Sequence, residues 1–117
     1  MQYMLMTYVQ EGGWEQLTPD QQKLGMAAYE AYAEALSEAG VFRGTNRLGP
    51  SSTATTVRVT DGKTQVLDGP YPDSKEQLAG YFIIEVPDLD AAISWAARCP
   101  TVHHGIVEVR PLWAGPA

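Results

Sequence analysis

Hydrophobic and polar positions alternate along much of this chain, and the alternation predicts strands. Residues 3–9 are apolar on both alternating faces, which is typical of a central strand. Residues 55–60 alternate with a period of two, and Asp61-Gly62 predicts a hairpin turn into a strand at 63–67. Further strands are predicted at 41–48, 81–86 and 106–110.

Two segments have the spacing of amphipathic helices instead. The first begins at residues 18–21, whose Thr-Pro-Asp-Gln order supplies an N-cap, a proline at the first helical position and a capping box. It ends at Gly40, which suits a left-handed C-terminal residue. The second begins after Asp88 and ends before Pro100. A short helical turn is also predicted at 75–78.

The order of these elements predicts a single α+β domain over residues 1–117, a β-α-β-β-α-β plan with an added hairpin. Helices would cover one face of an antiparallel sheet and leave the other face open. Because that open face is partly apolar, it favours pairing with a second copy. We therefore expect a homodimer, a dimeric α+β barrel with a cavity between the two sheets.

Composition narrows the classes of partner and compartment. The formal net charge of −6 disfavours nucleic acid and membrane surfaces as partners. Cys99 is the only cysteine, so no internal disulfide can form, and a reducing compartment is favoured. The first six residues lack the pattern of a signal peptide, and we expect a cytoplasmic protein.

Four polar side chains of the predicted sheet are candidates for ligand binding. Glu108 and Arg110 are two residues apart on one strand and share a face, and alternation places Tyr81 and Glu85 on the open face too. A carboxylate and a guanidinium in a cavity could orient an anionic or phenolic substrate. The alternative is a structural ladder of ion pairs across the sheet.

The loops carry a second set of candidates. His104 follows His103 before the last strand, where an imidazole that titrates near neutrality could act as a general base. Asp68 could orient that imidazole, or cap the turn that it begins. Lys75 and Glu76 could line the entrance of the same site, although a solvated turn explains them equally well. Tyr71, in the same corner, is a further candidate for substrate binding. Anchoring of the loop is the alternative role of the histidines.

No motif in the chain points to a metal or a cofactor. His103, His104 and Cys99 lack the spacing of a zinc site. A phosphate-binding loop, a nucleophile elbow and a dinucleotide fingerprint are also missing from the sequence. Any catalysis is therefore expected to need no cofactor.

Asp68-Gly69-Pro70-Tyr71, followed by residues 74–78 and Gly80-Tyr81, resembles the motif that names the DGPF group of YCII-related proteins. The resemblance extends over nearly the whole chain, from residues 3–6 to residues 105–111. Two positions depart from the pattern of the group. Tyr71 replaces a phenylalanine, which adds a hydroxyl, and Asp73 stands where glutamate is more common, which shortens the side chain.

The resemblance implies a ferredoxin-like α+β fold and barrel-type homodimers, without an established activity. A catalytic His–Asp pair has been proposed in YCII proteins, and relatives on this fold include enzymes that act on small ring compounds. The first hypothesis is therefore a cofactor-independent enzyme that acts on a small ring compound or acid, with His104, Asp68 and Arg110 as its machinery. The alternative is a non-catalytic module that binds a small molecule or a protein, since some DGPF proteins are associated with sigma factors. A purely structural dimer is the third possibility.

Overall fold

The structure, a computed structural model, describes residues 1–116. Its helices are α1 (Pro19–Glu38) and α2 (Leu89–Arg98), and short 3-10 helices lie at Ser51–Thr53 and Pro100–His103. Its strands are β1 (Gln2–Gln10), β2 (Phe42–Arg47), β3 (Thr55–Thr60), β4 (Lys63–Asp68), β5 (Glu76–Glu85) and β6 (Ile106–Pro111).

The strands form two separate sheets. β2, β5, β1 and β6 lie side by side in that order, and every neighbouring pair is antiparallel. β3 and β4 pair with each other as a hairpin. The α+β class and the added hairpin are confirmed, and the order of strands is consistent with the ferredoxin-like plan. No helix of residues 1–116 is long and apolar enough to cross a bilayer.

Strand β5 is longer than the sequence predicts. It begins at Glu76, where the backbone pairs with Gln10 of β1, so the helical turn predicted at 75–78 is wrong. The ladder with β1 contains one irregularity: Thr7 is opposite Gly80, whereas the next residue, Tyr8, is opposite Leu78. Pairing with a central strand overrides the weak local preference of these residues.

The predicted signals at the ends of α1 are confirmed. The hydroxyl of Thr18 accepts from the backbone N–H of Gln21 at 3.1 Å, and the side-chain oxygen of Gln21 accepts from the N–H of Thr18 at 2.9 Å. At the other end, Gly40 has a φ of 74° directly after the C-cap residue Ala39.

The core lies between the two helices and one face of the four-stranded sheet. Leu5, Leu36 and Ile84 are fully buried there, and each such side chain contributes about 1.5–3 kcal/mol. The Tyr32 ring meets the Phe82 ring edge to face at a centroid distance of 5.1 Å. The α1 helix is therefore fixed to the sheet by its buried face.

A small polar cluster extends the core toward the last strand. Thr101 is fully buried, and its hydroxyl lies 2.7 Å from the hydroxyl of Tyr29. The thiol of Cys99, also fully buried, donates to the same hydroxyl oxygen at 3.5 Å. Among residues 1–116, no buried side-chain polar atom lacks a partner. Cys99 thus serves as a packed core residue.

The opposite face of the four-stranded sheet has no helix over it. We call this surface the open face; its members alternate with the core residues along each strand. They are Met4, Met6, Tyr8, Leu78, Tyr81, Ile83, Glu85, Ile106, Glu108 and Arg110. The predicted central position of β1 is confirmed, but in the single chain it is covered on one side only.

Candidate functional site

The register of the strands places three predicted site residues on the open face. Tyr81 is opposite Met6, and Met6 is opposite Glu108, so these side chains form one row across the sheet. Arg110 lies in the next row, opposite Met4. The predicted common face is therefore confirmed, while a role in binding stays a prediction.

Glu108 and Arg110 bind each other. A guanidinium N–H of Arg110 donates to a carboxylate oxygen of Glu108, and the side chains are 67% and 37% exposed for Arg110 and Glu108 respectively. An ion pair this accessible contributes at most about 1 kcal/mol to stability. The contact runs along one strand, so it fixes the direction of both charges on the open face.

Tyr81 and a fourth open-face candidate, Glu85, each bind a neighbouring polar group. The hydroxyl of Tyr81 accepts a hydrogen bond from the side-chain amide of Asn46 at 2.8 Å. The carboxylate of Glu85 lies 2.8 Å from the amino group of Met1. The hydrogen bond from that ammonium group, with help from Arg43, lowers the pKa of Glu85. The carboxylate of Glu85 is therefore charged, and it is already paired with the amino group of Met1.

A wide cleft lies where the open face meets the loops that flank the hairpin. We call it the corner cleft; its volume is about 1,090 Å³. The open face supplies its floor, the connection from β2 to β3 one wall, and the loop after β4 the other. The side chains that define these three sides are Tyr8, Leu78, Ile106, Glu108, Leu48, Pro50, Thr53, Pro70, Pro72 and Ser74.

Gln77 holds the loop wall of the corner cleft in place. Its buried side-chain amide donates to the carbonyl oxygens of Pro72 and Ser74 at 2.9 and 2.8 Å. Lys75, the residue after Ser74, is also held: its backbone carbonyl accepts a hydrogen bond from the N–H of Glu11 at 3.0 Å. Sequence reasoning missed Gln77, because its support depends on how the loop returns against β5, which no local pattern specifies.

A smaller cavity of about 390 Å³ lies next to the corner cleft. Its lining brings together His104 and Lys75, with Gln10 and Glu76 beside them. Glu76 also lines the corner cleft, so it stands at the boundary between the two spaces. The structure therefore groups two predicted site residues from different loops.

Asp68 and Tyr71 lie apart from that cavity. Asp68 is exposed at the end of β4, opposite Thr55, and lines neither space. Tyr71 is 72% exposed, and the guanidinium of Arg58 lies 5.7 Å from the centroid of its ring. Within residues 1–116, no hydrogen bond or ion pair joins Asp68 to His104. Their pairing stays a prediction.

The sequence matches the YCII-related domain over residues 1–114. The chain belongs to the YCII-related family. It is also 32% identical over 114 residues to an uncharacterised protein of Rhizobium meliloti (strain 1021), an alignment that covers 96% of this chain and 92% of the relative. The predicted family is thus confirmed, and neither match assigns a reaction.

The motif by which the family was recognised has a structural counterpart in this YCII-related chain. Pro70 lines the corner cleft, and the N–H of Gly69 donates to the carbonyl of Ala54 at 2.7 Å across the base of the hairpin. Gly69 has a φ of 99°, which a residue with a side chain rarely adopts. The motif therefore shapes a wall of the cleft and closes the hairpin.

The charged groups around the cleft set what this YCII-related domain could accept. Glu76 and Glu108 are among the residues that line the corner cleft, whereas Lys75 and His104 line the smaller cavity. Among residues 1–116, no three His, Cys, Asp or Glu side chains are grouped closely enough to hold a metal ion. The arrangement suits an organic molecule with an apolar body and polar substituents.

Proposed function

We propose that this YCII-related protein binds a small organic ring compound or acid in the corner cleft, as part of a homodimer of the ferredoxin-like, α+β barrel type. The observation that carries the proposal is the cleft itself. Tyr8, Leu78 and Ile106 give it an apolar floor, and the prolines give it stiff walls. Its volume of about 1,090 Å³ is enough for a metabolite of this class.

The positions of the polar groups support a preferred orientation of the ligand. The ring would lie over the floor, where a hydroxyl or amino substituent could donate to Glu108. An acidic substituent would point past Glu76 toward Lys75 and His104 in the smaller cavity. Few, well-separated polar groups in an apolar site are typical of small-molecule recognition.

A second copy supports binding by covering the cleft. Ligand sites usually bury roughly 70–90% of the ligand surface, and an open cleft in a single chain leaves one side of the ligand in water. The floor residue Ile106 is 54% exposed in the single chain, so a partner over the open face would also cover it. The homodimer and the binding site are therefore parts of one proposal.

The test uses two isoleucines with nearly equal exposure. Ile106 is 54% exposed on the cleft floor, and Ile93 is 49% exposed on α2, outside the cleft. Saturation-transfer NMR with benzoate, salicylate, phenol and aniline would detect binding to the wild-type protein. We expect Ile106→Trp to fill the cleft and weaken binding at least tenfold, and Ile93→Trp to change it less than twofold.

Two results would contradict the proposed site. One is the lack of a transfer signal from all four probes with the wild-type dimer. The other is binding that Ile93→Trp weakens as much as Ile106→Trp does. Circular dichroism and analytical ultracentrifugation of both variants show whether each remains folded and dimeric, so that lost binding is attributed to the cleft.

Catalysis without a cofactor is the second candidate, and the shared boundary of the two cavities favours it. His104 lies next to the space where an acidic substituent would point, so its imidazole could exchange a proton with a bound ligand. Asp68 and Arg110 line neither cavity of the single chain, so His104 alone carries this candidate. For a probe that the protein turns over, His104→Gln should abolish turnover and preserve binding. Equal turnover by that variant would remove His104 from the mechanism.

A further inference from the structure

The hairpin of β3 and β4 projects from the molecule as a separate unit. We call residues 55–68 the arm. In the part of the chain that the structure describes, its strands pair with each other and with no strand of the four-stranded sheet. The chain measures 49 × 48 × 18 Å, and its radius of gyration is 16.3 Å. A compact chain of this length would have a radius of gyration of about 13 Å, so the arm extends well beyond a compact body.

One face of the arm is an apolar stripe. Val57 is directly opposite Val66 in the hairpin ladder, and Val59 follows on the same face because side chains alternate along a strand. These valines are 61%, 60% and 65% exposed, in the order Val57, Val66 and Val59. The other face of the arm carries Arg58 and Gln65, which are directly opposite each other.

The arm needs contact with another surface to be stable. Two-stranded hairpins are only marginally stable alone in water. All residues from 57 to 68 are exposed, so the ladder of the arm gains almost nothing from burial within its own chain. Three exposed β-branched valines on one face of a projecting hairpin also form an apolar surface that favours association with another chain.

We infer that the apolar stripe of the arm, Val57, Val59 and Val66, packs on a second copy of this chain, and that the two copies exchange arms. The inference rests on the homodimer in the proposed function and on no property of its ligand. In the exchanged dimer, each arm lies across its partner, while the two open faces meet.

The area that a stable dimer needs favours this arrangement. Four strands about 4.8 Å apart and about six residues long present a face of roughly 400 Å². A standard interface buries about 800 Å² on each partner, so the open face alone is half of what is needed. One face of the arm adds roughly 200 Å², and the surface that receives the partner's arm adds a similar area. Exchange of arms therefore brings the interface to the usual size.

The distribution of charge favours a second copy as the occupant. The chain carries a formal net charge of −6, so two copies repel each other at most orientations. Within the arm, Arg58 and Lys63 balance Asp61 and Asp68, which leaves it without net charge. On the open face, Arg110 pairs with Glu108. Contact through arms and open faces thus joins the two surfaces where like-charge repulsion is smallest.

The stripe can be tested by substitutions that keep the arm a good hairpin. Val57→Thr, Val59→Thr and Val66→Thr together preserve β-branching and shape but remove apolar contact. Arg58→Thr with Gln65→Thr is the matched control on the other face of the arm. By analytical ultracentrifugation, we expect the triple variant to raise the dimer dissociation constant at least 100-fold and the control to change it less than threefold.

Hydrogen exchange of the wild-type protein gives a measurement that needs no variant. We expect the amides of the arm to exchange slowly above the dimer dissociation constant and at least tenfold faster below it. Unchanged dimerisation by the triple variant, a monomer at all concentrations, or arm protection that does not depend on concentration would each overturn the inference. Protection in the monomer would show that the arm folds onto its own chain.

The outcome for the arm is separate from the outcome for the ligand. A dimer with concentration-dependent protection of the arm but no binding of the four NMR probes would contradict the proposed function and support the exchange of arms. A monomer that binds the probes at Ile106 would overturn the exchange of arms and the proposed homodimer, and would preserve the corner cleft as a binding site.

Discussion

Gly105 lies between the loop that carries His104 and strand β6, in close contact with the backbone of β1. A Cβ at this position would lie 2.2 Å from the carbonyl oxygen of Tyr8. Since that oxygen belongs to a central strand, it cannot move without disturbing the sheet. We expect Gly105→Ala to lower the free energy of unfolding by about 1–3 kcal/mol, measured by urea denaturation.

Gly49 is the control for that substitution. A Cβ there would lie 3.4 Å from the hydroxyl of Thr53, an ordinary contact. Gly49→Ala should therefore change stability by less than about 0.5 kcal/mol. Equal losses in the two variants would contradict the steric explanation at Gly105.

Tyr32 makes the stability of the fold depend on alkaline pH. Its hydroxyl donates to the backbone carbonyl of Trp95 at 2.6 Å, and burial raises the pKa of Tyr32 above its ordinary value of 10. Because the folded-state pKa is the higher one, this contribution to stability is complete below pH 10. It is lost as the pH rises through the folded-state pKa.

Tyr32→Phe should therefore cost about 1 kcal/mol at pH 7, where the hydrogen bond is intact. The gap between wild type and variant should shrink as the pH is raised above 10, the unfolded-state value. Urea denaturation across this range measures the gap. Tyr71→Phe, at an exposed ring, is the control, and a gap at Tyr32 that is independent of pH would contradict the assignment.

At the residue scale, alternation was enough to place some candidates and not others. The period of two correctly put Tyr81, Glu108 and Arg110 on one face, because strand geometry fixes that relation locally. The support that Gln77 gives to the loop depends on where Pro72 and Ser74 come back against the strand. No local pattern specifies such a return.

Most helices and strands could be predicted from the capping and turn residues at their ends. Capping residues predicted both helices, and an Asp-Gly pair predicted the hairpin turn, because these signals act within a few residues. The first part of β5 was missed because pairing with β1 at Gln10 and Val9 creates it. A strand that forms by pairing with a segment distant in sequence shows only a weak strand pattern in its own residues.

The loop between β4 and β5 should depend on the single side chain that supports it. Gln77→Met keeps the length of the side chain and removes both donors to the loop. We expect a loss of about 1–3 kcal/mol and faster hydrogen exchange at residues 69–75. Gln65→Met, at an exposed position on the arm, should change neither measurement. Unaltered exchange in Gln77→Met would show that the prolines alone hold the loop.

At the scale of the whole molecule, the order of elements predicted the four-stranded sheet. It could not predict the corner cleft or the distance between Asp68 and His104. The corner cleft joins Leu48, Pro70 and Ile106, which are far apart in sequence. The distance between Asp68 and His104 depends likewise on how the arm leaves the body. Pairing of adjacent elements is encoded locally, whereas the meeting of two loops with one face of the sheet is a result of the complete fold.

The buried position of Cys99 gives the molecule a reporter of its own motions. The surface carries no thiol, because the one cysteine side chain is enclosed between the helices and the sheet. A thiol reagent reaches it only when α2 and the turn after it separate from α1. The rate of labelling would then report how often the core opens, and no cysteine has to be introduced to measure it.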